Sequence, residues 1–169
     1  MHIETGAATL CLPGPAMIRK FEFEAEIYET LSCLPMAARR KLDAVGIKIG
    51  RSQWALLSRG ERLMICHAPA NSPDEIAALR LFIDEAVLAK AGSRPAELPE
   101  GARRSARPPA KLPSQLAAHA GALGVPIVQS AWDTLDDDER YALVKLGGGA
   151  TPSHNLRAAL TELLGARNR

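Results

Sequence analysis

The chain has few aromatic residues, few cysteines and no long apolar run. Aromatic side chains make up 4% of its 169 residues, whereas apolar residues as a group make up 47%. The core must therefore be built mainly from leucine, alanine, isoleucine and valine, and a chain rich in leucine and alanine favours helix. No apolar stretch approaches the roughly 18–20 residues that a membrane-spanning helix needs. We therefore expect no contact with a membrane.

The cysteines do not form a recognisable framework. Cys11, Cys33 and Cys66 are three in number and have no paired spacing. An odd count of this kind indicates reduced thiols, and we therefore predict a cytoplasmic protein. Cys33 with Cys66 and His67 raises the question of zinc, but the Cys-x-x-Cys spacing of structural zinc sites is missing. We expect no metal and no cofactor, and we expect Cys33 to be a buried, inert thiol because the sequence names no base beside it.

Basic charge is concentrated in one stretch of the chain. The formal net charge is only +2, but residues 92–111 carry five basic residues against two acidic ones and hold four prolines. Such a composition predicts a linker or extended loop. Residues 118–132 superficially resemble a helix-turn-helix. The reading helix would be 130–138, which carries four aspartates, and repulsion from phosphates argues against DNA binding there.

One pattern, Ser-x-Trp-x-x-Leu-x-x-x-Glu-Arg, occurs at residues 52–62 and again at 130–140. It contains both tryptophans, and a shift of 78 residues, from 52 to 130, aligns the flanking positions without a gap. A weak repeat of this kind predicts two related helical units. We expect them to share one core, since neither buries its apolar face alone. The structural positions of the pattern and its flanks are Pro35, Gly46, Ser52, Trp54, Glu61 and Arg62 in the first copy and Pro113, Gly124, Ser130, Trp132, Glu139 and Arg140 in the second.

Capping patterns predict where helices begin and end. Ser58, Ser72 and Asp136 each stand three residues before a glutamate, which is the capping-box pattern of a helix start. Ser52 is expected to cap a further helix with its hydroxyl group. Gly46 fits the left-handed position that ends a helix.

These signals together predict an all-α protein. Residues 21–24 alternate apolar and charged side chains, so they suit a short extended segment, although a helix over 24–32 fits the chain at least as well. Met17 could serve as an alternative start. The expected organisation is a flexible tail (1–19), a single helical domain (20–165) made of unit one (20–91), the linker (92–111) and unit two (112–165), and a frayed end (166–169).

The two Glu-Arg pairs, at residues 61–62 and 139–140, look like functional charge pairs. Adjacent residues on a helix do not face each other, and each glutamate already has a helix start to cap. We therefore predict a structural role for both pairs. A pseudo-twofold arrangement could instead pair Arg62 with Glu139, or Arg140 with Glu61.

Several segments, taken in order, resemble one known family. Phe-Glu-Phe-Glu at 21–24, Leu-Ser-Cys-Leu-Pro-Met at 31–36 and residues 39–48 are similar to the opening of the nitrate reductase-associated (maturation) protein family. The similarity continues to about residue 164. Its second half is carried by Trp54, Trp132, the two Glu-Arg pairs, Tyr-Ala-Leu-Val-Lys-Leu at 141–146, His154 and Asn155.

The resemblance implies a small cytoplasmic accessory protein that is needed to obtain active assimilatory nitrate reductase and is not itself an enzyme. Its partner would be the immature molybdoenzyme. Cys33, His154 and Asn155 are then the candidates for partner contact, with Pro35 as a further surface or hinge residue. Two alternatives remain open: a helical nucleic-acid-binding regulator that uses the linker 92–111, and a diverged helical protein with an unrelated binding function. An enzyme would need a pocket with converging polar groups.

Overall fold

The computed structural model describes residues 19–99, 101 and 106–165. Within these residues the chain forms nine α-helices and one small sheet, which confirms the all-α prediction. None of the described helices has the length and apolar character that crossing a membrane requires. Of the predicted tails, residues 1–18 of the tail 1–19 and all of 166–169 lie outside the described residues. The helices are α1 (Ala25–Thr30), α2 (Met36–Val45), α3 (Arg51–Leu56), α4 (Arg59–His67), α5 (Pro73–Ala91), α6 (Ser114–Ala122), α7 (Gln129–Asp133), α8 (Asp137–Gly147) and α9 (Leu156–Gly165).

Most predicted helix starts are confirmed, and one is wrong. The Ser58 hydroxyl accepts from the Glu61 N–H at 3.2 Å, while the Glu61 carboxylate accepts from the Ser58 N–H at 2.6 Å. Ser52 does not cap α3, because that helix begins earlier, with Gly50 at the N-cap. The Gln53 side chain reaches back to accept from the Gly50 N–H at 3.1 Å, which satisfies that donor. The reciprocal pairing of the Ser58 start recurs at the starts of α5 and α8, with Ser72 and Asp136 as N-caps.

The predicted helix end at Gly46 is also confirmed. Gly46 ends α2 with φ of 76°, in the left-handed region that a side chain disfavours. Gly124, its counterpart in the repeat, has φ of 74° and follows α6. After Gly46 the chain enters strand β1 (Ile47–Lys48), which pairs antiparallel with β2 (Ala96–Glu97). The segment predicted as a linker therefore returns to unit one.

The strand-like alternation at residues 21–24 does not form a strand. Residues 22–24 make a single 3-10 turn that leads directly into α1, so the helical interpretation is the correct one. The Phe21 and Phe23 rings stack at 5.0 Å between centroids, and Phe21 is buried among side chains of unit two. An alternating pattern gives a strand only where a neighbouring strand supplies hydrogen bonds, and here the Glu162 carboxylate supplies them instead.

The buried apolar side chains form two clusters, each around one tryptophan, and the single shared core that we expected is wrong. Trp54 and Trp132 are both 0% exposed, but they belong to different clusters. Each unit carries its own covering helix. In unit one α5 packs on α2 and α3, and in unit two α9 packs on α8 and α6. The Trp132 cluster also takes in Phe21 and Met36 from unit one, so the two units are joined by apolar packing as well.

The two units meet where α2 packs on α8. Asp43 of α2 accepts a hydrogen bond from the Tyr141 hydroxyl at 2.8 Å, and its carboxylate lies 2.6 Å from Lys145 Nζ. Arg40, also on α2, pairs with Asp138 at 2.5 Å and with Asp137 at 3.5 Å. Charged and hydrogen-bonded side chains thus join α2 to α8, and a groove runs along this seam.

Candidate binding groove

The structure brings three sequence-predicted candidates onto one groove. Cys33 comes from the loop between α1 and α2, while His154 and Asn155 come from the segment before α9. All three line the same part of the groove, which we call the first lobe. Its volume is 640 Å³, within the range of about 300–1,000 Å³ that ligand pockets occupy. Their role as partner contacts stays a prediction, but their common location is a structural fact.

One wall of this first lobe is the N-terminal strap, which we define as residues 19–27. The Glu162 carboxylate on α9 accepts from the Glu22 N–H at 3.0 Å and from the Phe23 N–H at 2.9 Å. Arg19 donates to Glu139 at 2.5 Å. Two carboxylates of unit two therefore hold a segment that continues directly into unit one.

Glu24 is the buried carboxylate of the strap, 4% exposed. Its two oxygens accept from the Met36 N–H at 3.0 and 3.2 Å, and one also accepts from the Tyr28 hydroxyl at 2.8 Å. Because Pro35 offers no side-chain cap, Glu24 supplies the cap of α2 from a distance. Burial raises the pKa of Glu24 above its ordinary value, although the bonds from Tyr28 and Met36 oppose this effect. Burial, and next the Glu24 charge, raise the pKa of Tyr28.

The facing wall is cationic. Arg39 of α2 is exposed and donates its Nε–H to the Leu34 carbonyl at 3.1 Å. Lys145 of α8 is about one-third exposed and is paired with Asp43. Burial, and then the adjacent Asp43 carboxylate, raise the pKa of Tyr141, so its hydroxyl stays a donor to Asp43. This wall therefore carries two positively charged side chains, Arg39 held by a hydrogen bond and Lys145 held by an ion pair.

A second, smaller lobe of 250 Å³ adjoins the first. It shares Leu34, Arg39 and Lys145 with the first lobe, so the two lobes lie side by side, and we call them together the seam groove. Its floor is mostly apolar. The apolar side chains that line the second lobe are Leu34, Leu42, Ile47, Ile49 and Leu98.

The tryptophan-arginine pattern lies away from this groove and has a structural role in the fold. Trp54 donates its indole N–H to the Leu31 carbonyl at 2.8 Å. Arg62 donates to the carbonyls of Trp54 and Ala55 at 3.1 and 2.8 Å, and also to Leu31. The last carbonyls of a helix have no partner within it, and here Arg62 satisfies those of the short helix α3.

The second copy of the pattern makes the same contacts. Trp132 donates to the Pro109 carbonyl at 3.2 Å, and Arg140 donates to the carbonyls of Trp132 and Asp133, both at 3.1 Å. The alternative pairing of Arg62 with Glu139, or of Arg140 with Glu61, is therefore wrong. The arginines point to helix carbonyls of their own unit, because a short helix leaves those acceptors unpaired. Duplication of the whole unit stays a prediction.

The remaining proposed positions are spread over the fold. Pro35 and Pro113 stand at the N-caps of α2 and α6, one residue before each helix begins. Ser130 lies within α7. Cys33 is half-buried and opens to the groove, with Arg51 Nη2 at 3.9 Å from its sulfur, so the expectation of a fully buried thiol is wrong.

Two further features of the sequence are the cysteines, considered above as metal ligands, and the basic linker. In the part of the chain that the structure describes, no group of three or more histidine, cysteine, aspartate or glutamate side chains is placed to hold a metal ion. Burial raises the pKa of the Cys66 thiol to about 11. In the basic linker Arg94 lies 3.6 Å from Asp84, and Arg103 and Arg104 lie outside the described residues.

Glu24, Arg39 and Lys145 are groove residues that the sequence did not mark. A glutamate within an alternating tetrapeptide gives no sign of burial, and a run of three basic residues on α2 is typical of a solvated face. A usable signal did exist for Lys145. It follows Tyr141 by four residues on one helix, so both side chains were expected on the same face.

Comparison with known families gives one match. The model of the conserved nitrate reductase-associated protein family matches residues 20–163. These residues include both units, the strap from Lys20 onward and every lining residue of the seam groove. No curated protein and no solved structure matches the chain significantly.

Proposed function

Since the chain belongs to the conserved nitrate reductase-associated protein family, we propose that it is an accessory protein that binds nitrate reductase and has no catalytic activity of its own. The supporting observation is the seam groove, which collects Cys33, His154 and Asn155 from distant parts of the chain. A surface built jointly by both units suits recognition of a partner. The proposed setting is the cytoplasm, where the thiols of the chain stay reduced.

The chemistry of the groove favours binding over catalysis. Its buried carboxylate, Glu24, is occupied in capping α2. Asp43 accepts from Tyr141 and is paired with Lys145. A general base must reach the proton that it abstracts, whereas these carboxylates serve the fold. A rigid groove with fixed charges is what a binding surface needs, because preorganisation lowers the cost of association.

We further propose that the role of binding is maturation of assimilatory nitrate reductase, with Cys33, His154 and Asn155 as contact residues. His154 and Asn155 lie just before α9, one exposed and one half-buried, and Cys33 lines the same lobe. None of the three belongs to either buried cluster. Their substitution should therefore alter recognition more than stability.

The test is affinity purification of the tagged chain from cells grown on nitrate. We expect nitrate reductase among the recovered proteins. The combined variant Cys33→Ser, His154→Ala and Asn155→Ala should recover at least about tenfold less, since interface contacts of this kind carry over 1 kcal/mol each when they matter. Arg157→Ala, an exposed position on α9, is the matched control. A wild-type chain that never recovers nitrate reductase would refute the proposed function.

A further inference from the structure

The second lobe of the seam groove has the composition of a side-chain pocket. Five leucine and isoleucine residues line it, and its volume of 250 Å³ is smaller than that of the first lobe. Leu42, Ile47 and Ile49 are buried and belong to the cluster of unit one, so this floor is fixed by packing. A preformed apolar hollow of this size suits one large apolar side chain rather than a whole small molecule.

Positive charge stands at the rim of this hollow. Arg39, Lys48 and Lys145 line the second lobe against one carboxylate, Asp43, which gives a local charge of +2. Asp43 is already engaged with Tyr141 and Lys145. Arg39 donates its Nε–H to the Leu34 carbonyl, and the residue is exposed. A planar guanidinium in this position matches the geometry of a carboxylate.

The charge changes sign along the groove. The first lobe is lined by Glu22, Glu24 and Glu26 of the strap together with Arg39 and Lys145. Glu24 is buried, whereas Glu22 and Glu26 are exposed. Arg39 and Lys145 belong to both lobes, so the cations mark the junction between an acidic lobe and an apolar one.

From this arrangement we propose that the seam groove binds an extended segment of the partner in which a large apolar residue adjoins an acidic one. The apolar side chain occupies the second lobe, and the carboxylate binds Arg39 at the junction beside Lys145. The chain then continues into the first lobe, where a basic residue meets Glu22 and Glu26. This inference rests on the proposed function, because it specifies what the same site recognises.

The carboxylate belongs to an internal side chain and not to a chain terminus. The junction lies between the two lobes, so a segment that ended there would leave the 640 Å³ lobe empty. A segment that passes through contacts both lobes and the charges of both walls. Electrostatic complementarity of this kind sets orientation and excludes wrong partners.

The test uses a phage-displayed library of random short peptides that are fused at their C-terminal ends, so that no free peptide carboxylate is present. Selection on the full chain should enrich peptides with leucine, isoleucine, methionine or phenylalanine next to aspartate or glutamate. A synthetic copy of an enriched peptide, amidated at its end, should lose about tenfold in affinity when its acidic residue becomes the amide, since a charge-assisted bond is lost.

Two variants of the chain complete the test. Arg39→Gln should lower the affinity for the same peptide about tenfold, while Arg157→Gln on α9 should leave this affinity unchanged. Leu98→Trp, at a half-buried position that lines the second lobe, should abolish binding by filling the hollow, with the melting temperature checked for each variant. Arg39→Glu should shift the enriched peptides from acidic to basic residues.

Enriched peptides without an acidic residue, or peptides indifferent to both Arg39→Gln and Leu98→Trp, would overturn the inference. So would a failure to enrich any peptide. If nitrate reductase is recovered together with any of these three results, the proposed function stays intact. If the enriched peptides need their acidic residue for binding but nitrate reductase is not recovered, the inference stands and only the proposed partner is refuted.

Discussion

Arg62 binds the backbone of Trp54 and covers its ring at the same time. Its Nε–H donates to the Trp54 carbonyl at 3.1 Å, and the guanidinium carbon lies 5.9 Å from the ring centroid. Arg140 and Trp132 repeat the relationship, at 3.1 and 5.6 Å. One arginine thus ends a short helix and fixes the indole that anchors each cluster, which explains why both copies of the pattern end in Glu-Arg.

Replacement of Arg62 should therefore destabilise unit one. Arg62→Met keeps the aliphatic stem but removes three hydrogen bonds from the guanidinium. The carbonyls of Leu31 and Trp54 each keep a second donor, whereas the Ala55 carbonyl loses the donor seen in the structure. We expect a loss of about 1–3 kcal/mol in the free energy of unfolding, because hydrogen bonds from a charged group are lost. Urea denaturation measures it, with Arg157→Met as control. Equal midpoints for the two variants would contradict the capping role.

The strap should loosen when Glu162 loses its charge. In Glu162→Gln one acceptor oxygen becomes a donor, so it can no longer accept from both the Glu22 and the Phe23 N–H groups. Hydrogen exchange at these two amides should become several-fold faster, because opening of the strap costs less. Glu26→Gln, at an exposed position of the strap, provides the matched control and should leave both exchange rates unchanged. Unaltered protection in Glu162→Gln would show that the other contacts of the strap, such as the Arg19–Glu139 pair and the burial of Phe21, hold it without Glu162.

Glu24 should make stability depend on pH in an unusual direction for a carboxylate. Its folded-state pKa lies above the ordinary value of 4.5 because of burial, so the folded state binds its proton more tightly than the unfolded one. Its favourable contribution is complete below pH 4.5 and is lost as the pH rises through the folded-state pKa. The free energy of unfolding of the wild type, minus that of Glu24→Gln, should therefore fall as the pH rises from 4 towards neutrality. A difference that stays constant or rises would mean that the hydrogen bonds from Met36 and Tyr28 outweigh burial.

The two thiols of the described residues should react at different rates. Cys66 is buried and its pKa is raised to about 11, so it remains protonated at neutral pH, whereas Cys33 opens to the groove. In a Cys11→Ser background an alkylating reagent should modify Cys33 at least about tenfold faster than Cys66, because burial keeps the Cys66 thiol protonated and limits access to it. Mass spectrometry of proteolytic digests measures the extent of alkylation at both cysteines. Equal rates in the folded chain would place Cys33 away from solvent.

Local sequence signals were sufficient for the helix boundaries. A serine or aspartate three residues before a glutamate forms its hydrogen bonds within one turn, so the starts after Ser58, Ser72 and Asp136 could be predicted without the rest of the chain. Gly46 is predictable for the same reason, because its φ of 76° is a local requirement. The prediction that Ser52 caps a helix was wrong. The side chain of its neighbour Gln53 instead accepts a hydrogen bond from the Gly50 N–H at the start of that helix.

The groove and the two clusters could not be predicted in this way, because they depend on contacts between distant segments. The Glu162 carboxylate meets backbone groups of the strap that lie 139 and 140 residues earlier in the chain. The burial of Glu24 follows from the position of Met36, and the charge of the rim from α2 meeting α8. Periodicity marks which face of a helix is buried, but it does not say which helix covers that face. For this reason a single shared core was expected where the structure has two clusters, one around each tryptophan.

The account depends most directly on nitrate reductase lying in the seam groove. A photo-activated cross-linking amino acid introduced at His154, which lines the groove, is compared with the same group at Arg157, one turn further on and exposed. After irradiation with purified nitrate reductase we expect a cross-linked product from position 154 and none from position 157. Cross-linking at position 157 alone, or equal cross-linking at both positions, would contradict the account.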